Sequence, residues 1–141
     1  MNTAPAPRVG VRSTILLGAA GGAAFWVVNL AISLTPLGAE YRAALSIPYL
    51  PMLLEALAGG LLIGLLVAYV LQRFSDRIPS LSPLLKAIAL SGAAVVAAAV
   101  LIPGPDPRSA LLGLLINTLR IVALGATIGV LHTRRAARGQ N

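Results

Sequence analysis

Four long apolar runs, each bounded by proline, charge or both, fix what this 141-residue chain can become. They cover 14–35, which stops at Pro36, and 52–72, which follows Pro51. The third covers 84–102, between Ser82-Pro83 and Pro103-Gly104-Pro105. The fourth covers 109–131, between Asp106-Pro107-Arg108 and His132-Thr133-Arg134-Arg135. A helix rises ~1.5 Å per residue, so about 20 apolar residues cross a ~30 Å hydrocarbon layer. No period-two alternation is present, which excludes a closed barrel. The expected fold is all-α, an integral membrane four-helix bundle with short connections.

Composition agrees. Hydrophobic residues make up 57% and charged residues 11%, too few to coat a soluble globule. The net charge of +7 lies mostly at the ends of the apolar runs, which sets topology and does not form a nucleic-acid-binding stripe. Eight basic residues fall in the N-tail (Arg8, Arg12), the middle connection (Arg73, Arg77, Lys86) and the C-tail (Arg134, Arg135, Arg138). Only Arg42 and Arg108 lie in the other two connections. The N- and C-termini are therefore expected to be cytoplasmic. The domains are then a cytoplasmic tail, 1–13, a membrane domain, 14–131, and a basic cytoplasmic tail, 132–141. Residues 1–7 read as disordered. The first run is too long for a signal-peptide core and reads as a retained anchor. The arginine-rich composition suggests a bacterial inner membrane.

The connection at 36–50 is the longest, with a short surface helix expected over 38–46 and with Tyr41 and Tyr49 suited to the headgroup belt. Small residues at four-residue spacing are Gly18/Gly22, Gly60/Gly64/Ala68 and Gly125/Gly129, and the third run is largely alanine and valine, with Ala93, Ala94, Ala97, Ala98 and Ala99. Such stripes let helix backbones approach closely, either within one bundle or across a homodimer face.

Arg120 places a full charge inside the fourth run, where arginine costs between ~2.5 and over 10 kcal/mol. Asn29, Glu55 and Asn117 are the other intramembrane polar residues that need a reason. Counted from the outer ends of their helices, Glu55 is ~5 Å deep, Asn29 ~9 Å, Asn117 ~12 Å and Arg120 ~16 Å. Helical side chains lean toward their own N-termini, so Arg120 and Asn29 lean toward each other. This predicts a polar ladder, Arg120–Asn117–Asn29–Glu55, extended by Ser33. In such a ladder Arg120→Leu is tolerated and Glu55→Leu is harmful, because only the second strands a buried charge. Alternatively Arg120 snorkels past lipid to the headgroups, or the same residues hold a ligand or ion. Trp26 lies near mid-membrane, with Asn29 as the nearest acceptor in sequence for its indole.

Catalytic chemistry is poorly supported. There is no cysteine, and the lone histidine, His132, sits among basic residues where capping a helix C-terminus is its ordinary role. No catalytic, metal or cofactor site is expected. The expected function is a non-catalytic inner-membrane subunit or accessory protein, or a homo-oligomer, with lipid and a membrane-protein partner or second copy as its contacts. The competing class is a dimeric small-solute or ion transporter or channel that uses the polar set.

Overall fold

The computed structural model describes residues 10–74, 77, 81–101 and 106–138, and expectations for residues 1–7 and 102–105 lie outside them. The chain is all-helical over these residues, with five helices: α1 (Val11–Ser33), α2 (Pro36–Leu45), α3 (Tyr49–Phe74), α4 (Pro83–Leu101) and α5 (Pro107–Arg138). Three of them, α1, α3 and α5, are long and apolar enough to cross a membrane, which marks this as a membrane protein. The described apolar stretch of α4, Pro83–Ala97, is shorter.

Proline and a polar residue together set three of the helix starts. Thr35, Ser82 and Asp106 each precede a proline at the first helical position, where its missing N–H costs nothing. Each side chain caps the new helix: Thr35 accepts from Gly38 N–H at 3.3 Å, and Ser82 from Leu85 N–H at 3.3 Å. Asp106 accepts from the N–H groups of Arg108 and Ser109, both at 2.9 Å. Those bonds hold its carboxyl below the usual carboxylate range, Ser109 contributing most.

Pro36 ends the first run and also begins α2, so the short helix expected over 38–46 is present and starts two residues earlier. It turns back sharply on α1: a Cβ at Gly38 would sit 2.4 Å from the Ile32 carbonyl oxygen, so only glycine fits. It ends at Ser46, which takes the left-handed conformation (φ 52°). At the far end of the chain, α5 continues seven residues past the expected stop at Leu131. Hydropathy falls there, yet arginine and alanine are strong helix formers.

α1 runs antiparallel to α3 and to α5, and α4 runs antiparallel to α5. α1 packs on α3 and α5, and α4 packs mainly on α5. The glycine stripes make these seams within one chain. A Cβ on Gly64 would lie 2.4 Å from the Gly18 carbonyl oxygen, and one on Gly22 would lie 2.9 Å from Leu61 Cα. In the second seam, Gly125 faces Ile88 Cα at 2.8 Å and Gly129 faces Leu84 Cα at 2.6 Å, measured in the same way. Backbone approach this close leaves no room for lipid, and dispersion and weak C–H contacts hold the helices together. Leu17, Val67, Ala68, Leu71, Leu124 and Ile128 fill the space between them. At the end of the molecule where α1 begins and α5 finishes, Arg135 donates to the Ser13 hydroxyl at 3.0 Å and to its carbonyl at 3.3 Å.

Candidate intramembrane polar site

The polar residues singled out in the sequence gather in the half of the molecule nearer α2. Arg120 comes from α5, is only 7% exposed, and donates from one terminal nitrogen to Asn117 Oδ1 at 3.2 Å. Its guanidinium carbon lies 5.6 Å from the centroid of the Phe25 ring of α1. A desolvated cation over an aromatic face gains up to about 2 kcal/mol. The arginine therefore does not snorkel along the surface to the headgroups. It is enclosed between α1 and α5.

The other expected rungs are not hydrogen-bonded to it. Asn29 is wholly buried, 0% exposed, and neither its amide nitrogen nor its amide oxygen has a partner among the described residues. It lies one turn beyond Phe25 on the same face of α1. The α1–α5 register, set by Ser13 with Arg135 and by Phe25 with Arg120, puts Asn29 level with Asn117. The α1–α3 register, set by Gly18 with Leu65 and by Gly22 with Leu61, puts Glu55 at that level also. Glu55, however, is exposed on the outer side of α3. It is within electrostatic reach of Arg120, but among the described residues the ion pair formed is Arg108 with Glu40, which ties α5 to α2. The ladder thus has one formed rung, Arg120–Asn117. The harm expected from Glu55→Leu loses its basis, because no buried charge depends on that carboxylate for a hydrogen bond.

Two further expectations change. The Trp26 indole donates to the Leu53 carbonyl of α3 at 3.2 Å and not to Asn29. Ser33 belongs to a separate junction: its hydroxyl donates to the Leu30 carbonyl at 2.7 Å and lies 3.3 Å from the Tyr49 hydroxyl. Arg42 completes that junction, donating to the Ser33 carbonyl at 3.1 Å and lying 5.0 Å from the Tyr49 ring centroid.

Phe25 and Tyr41 are the residues that sequence reasoning did not assign here. Phe25 had a signal, its i, i+4 spacing from Asn29. Tyr41, assigned to the headgroup belt, had none. The fold-back at Gly38 brings its ring within 3.5 Å of where a Gly113 Cβ would stand on α5, and within electrostatic reach of Arg120.

The arrangement is thus a shielded layer with one buried cation, one fully unsatisfied carboxamide and an aromatic wall, roofed on one side by α2. Burying a carboxamide without partners costs roughly 1–3 kcal/mol judged from protein variants, so the layer holds unused hydrogen-bonding capacity. Comparison with protein-family models, with curated proteins and with solved structures gives no match to this chain.

Proposed function

We propose that this chain is a four-span inner-membrane protein of bacterial type, termini cytoplasmic, that acts without catalysis as a subunit of a membrane assembly or as a homo-oligomer. The side-by-side, antiparallel fit of α4 on α5 supports the fourth span, because a partner matched along its length to a spanning helix shares its depth. The eight-to-two division of basic residues supports the orientation. The glycine seams of α1 support its retention as an anchor.

One observation carries the assembly reading. On the lateral surface, α4 and α5 enclose an apolar groove of ≈ 230 Å³ lined by Gly92, Val96, Leu114 and Thr118 among others. A Cβ on Gly92 would meet nothing within 4 Å, in contrast to the tightly opposed glycines of the seams. Such a groove accepts a side chain from a neighbouring transmembrane helix. The chain has no cysteine, so single-cysteine cross-linking is clean. Gly92→Cys in native membranes should cross-link to a second copy or to a partner recoverable by affinity capture. A monomer by native mass spectrometry, with no cross-linked or captured product, overturns this reading.

A second reading, a small-solute or ion transporter or channel, is favoured by the unpartnered Asn29. It ranks behind because a carrier needs polar groups that continue toward the other side. The candidates there, Ser91 and Thr127, donate to their own helix at Ala87 O (2.7 Å) and Ala123 O (2.8 Å). Flux assays in liposomes, with Arg120 and Asn29 variants, separate the two readings.

A further inference from the structure

We propose that the Arg120 layer is a binding site for a small monovalent inorganic anion of halide size. The inference deepens the second reading, from which it takes only the existence of a site; movement of the ion across the membrane is not required.

The argument is a count of donors, acceptors and charge. The buried atoms without partners in this layer are Arg120 Nε and the two amide atoms of Asn29. That is three N–H hydrogens against one acceptor oxygen. Exchanging the amide oxygen and nitrogen, which coordinates often cannot distinguish, leaves the count unchanged. The Tyr41 hydroxyl makes no hydrogen bond among the described residues and can donate as well. A cation is repelled by the guanidinium and finds one carboxamide oxygen. A water molecule can satisfy the amide, but it adds no charge to offset the guanidinium, which Glu55 reaches only through space. An anion accepts one N–H or O–H from each of these groups and neutralises the charge.

Geometry limits the size. Asn29 is 0% exposed and shares the buried face of α1 with Phe25, one turn away, whose ring lies against Arg120. Enclosure this complete, with Asn29 0% and Arg120 7% exposed, favours a monatomic ion over a phosphate with four oxygens. Glu55 is exposed and makes no hydrogen bond to Arg120 among the described residues, so it acts on the guanidinium only through space. Access is from the α2 end, where Tyr41 lies against Gly113.

The test uses the full-length protein in detergent, in gluconate buffer of fixed ionic strength, with gluconate replaced stepwise by bromide. The wild-type melting temperature should rise by roughly 5 °C at saturation. Arg120→Leu should abolish the rise, and Asn29→Leu should increase the half-maximal bromide concentration at least about tenfold, since a charge-assisted donor to the ion is lost. If Arg120→Leu fails to fold, Asn29→Leu and Tyr41→Phe decide the matter. No rise in the wild type, or an equal rise in wild type and Asn29→Leu, overturns the site. Anion flux measured in parallel distinguishes the two claims. Bromide-dependent stability without flux keeps the site and removes the transport reading, whereas flux without bromide-dependent stability removes the site and keeps transport.

Discussion

The α1–α3 seam and the Arg120 layer both join α1 to a neighbour, and they do so in opposite ways. In the seam, glycines 18, 22 and 64 bring backbone onto backbone, and a single added carbon would stand as little as 2.4 Å from a carbonyl oxygen. All the available space is used. Two turns along the same helix, Asn29 is equally enclosed, yet none of its hydrogen-bonding groups is used. A region selected only for stability fills such capacity or replaces it with hydrocarbon. The contrast separates a part of the molecule that holds the fold from a part that has something left to bind.

The largest expected effect lies in the seam. Gly64→Val should destabilise by about 3 kcal/mol or prevent folding, because α1 cannot move away without losing contact along its whole length. Gly59→Val should change little beyond helix propensity, since nothing lies within 4 Å of its added carbon; denaturation in graded SDS measures both. Comparable losses at the two glycines would show that the seam is not what holds α1. Next comes Asn29→Leu, nearly isosteric at its branch. Assayed without halide, it should stabilise by about 1–3 kcal/mol through removal of an unsatisfied amide, with the advantage shrinking as bromide is added. A destabilised Asn29→Leu would mean that the amide already has a resident partner. Glu55→Leu should alter stability by less than about 0.5 kcal/mol, as expected for an exposed side chain with no hydrogen bond.

The smallest effect is one of pH. Asp106 is fully exposed, and its folded pKa is lowered by its bonds from Ser109. A lowered carboxylate contributes its full stabilisation above its unfolded pKa, near 3.8, and loses it as pH falls through the folded value. Asp106→Asn keeps a capping side chain but should flatten this acid limb of the melting curve. An unchanged acid limb would assign that limb to another carboxylate.

Much of this was legible in the sequence because it depends on neighbours a few residues apart. Pairs such as Ser82-Pro83 and Asp106-Pro107 combine a cap with a fixed φ, and the helices start where those pairs stand. Glycines four residues apart share a face whatever the partner, so the stripes were visible before their mates were known. The polar site was legible only in part. Asn117 and Arg120 meet because i and i+3 must, whereas Glu55 was given a place in the ladder that its exposed side chain does not take. Depth along a helix follows from counting, but rotation about its axis depends on which neighbours claim its other faces. Met52, Ala56 and Gly60 occupy the buried side of α3 and turn Glu55 outward. Tyr41 was out of reach for a similar reason. Its place depends on α2 folding back across the top of α1, a tertiary event that hydropathy does not record. The overrun of α5 past Leu131 shows the same limit, since hydropathy follows the solvent of a helix and not its length.

The grip of Arg135 on Ser13 has a consequence for biosynthesis. It joins the first turn of α1 to the last turn of α5, so this contact cannot form until α5 has been translated. Until then α1 has only α2 and α3 to lean on, and these must hold together in the bilayer without the fourth long helix. A chain cut short before α5 would lose its clasp and the cation together, leaving Asn29 open to lipid.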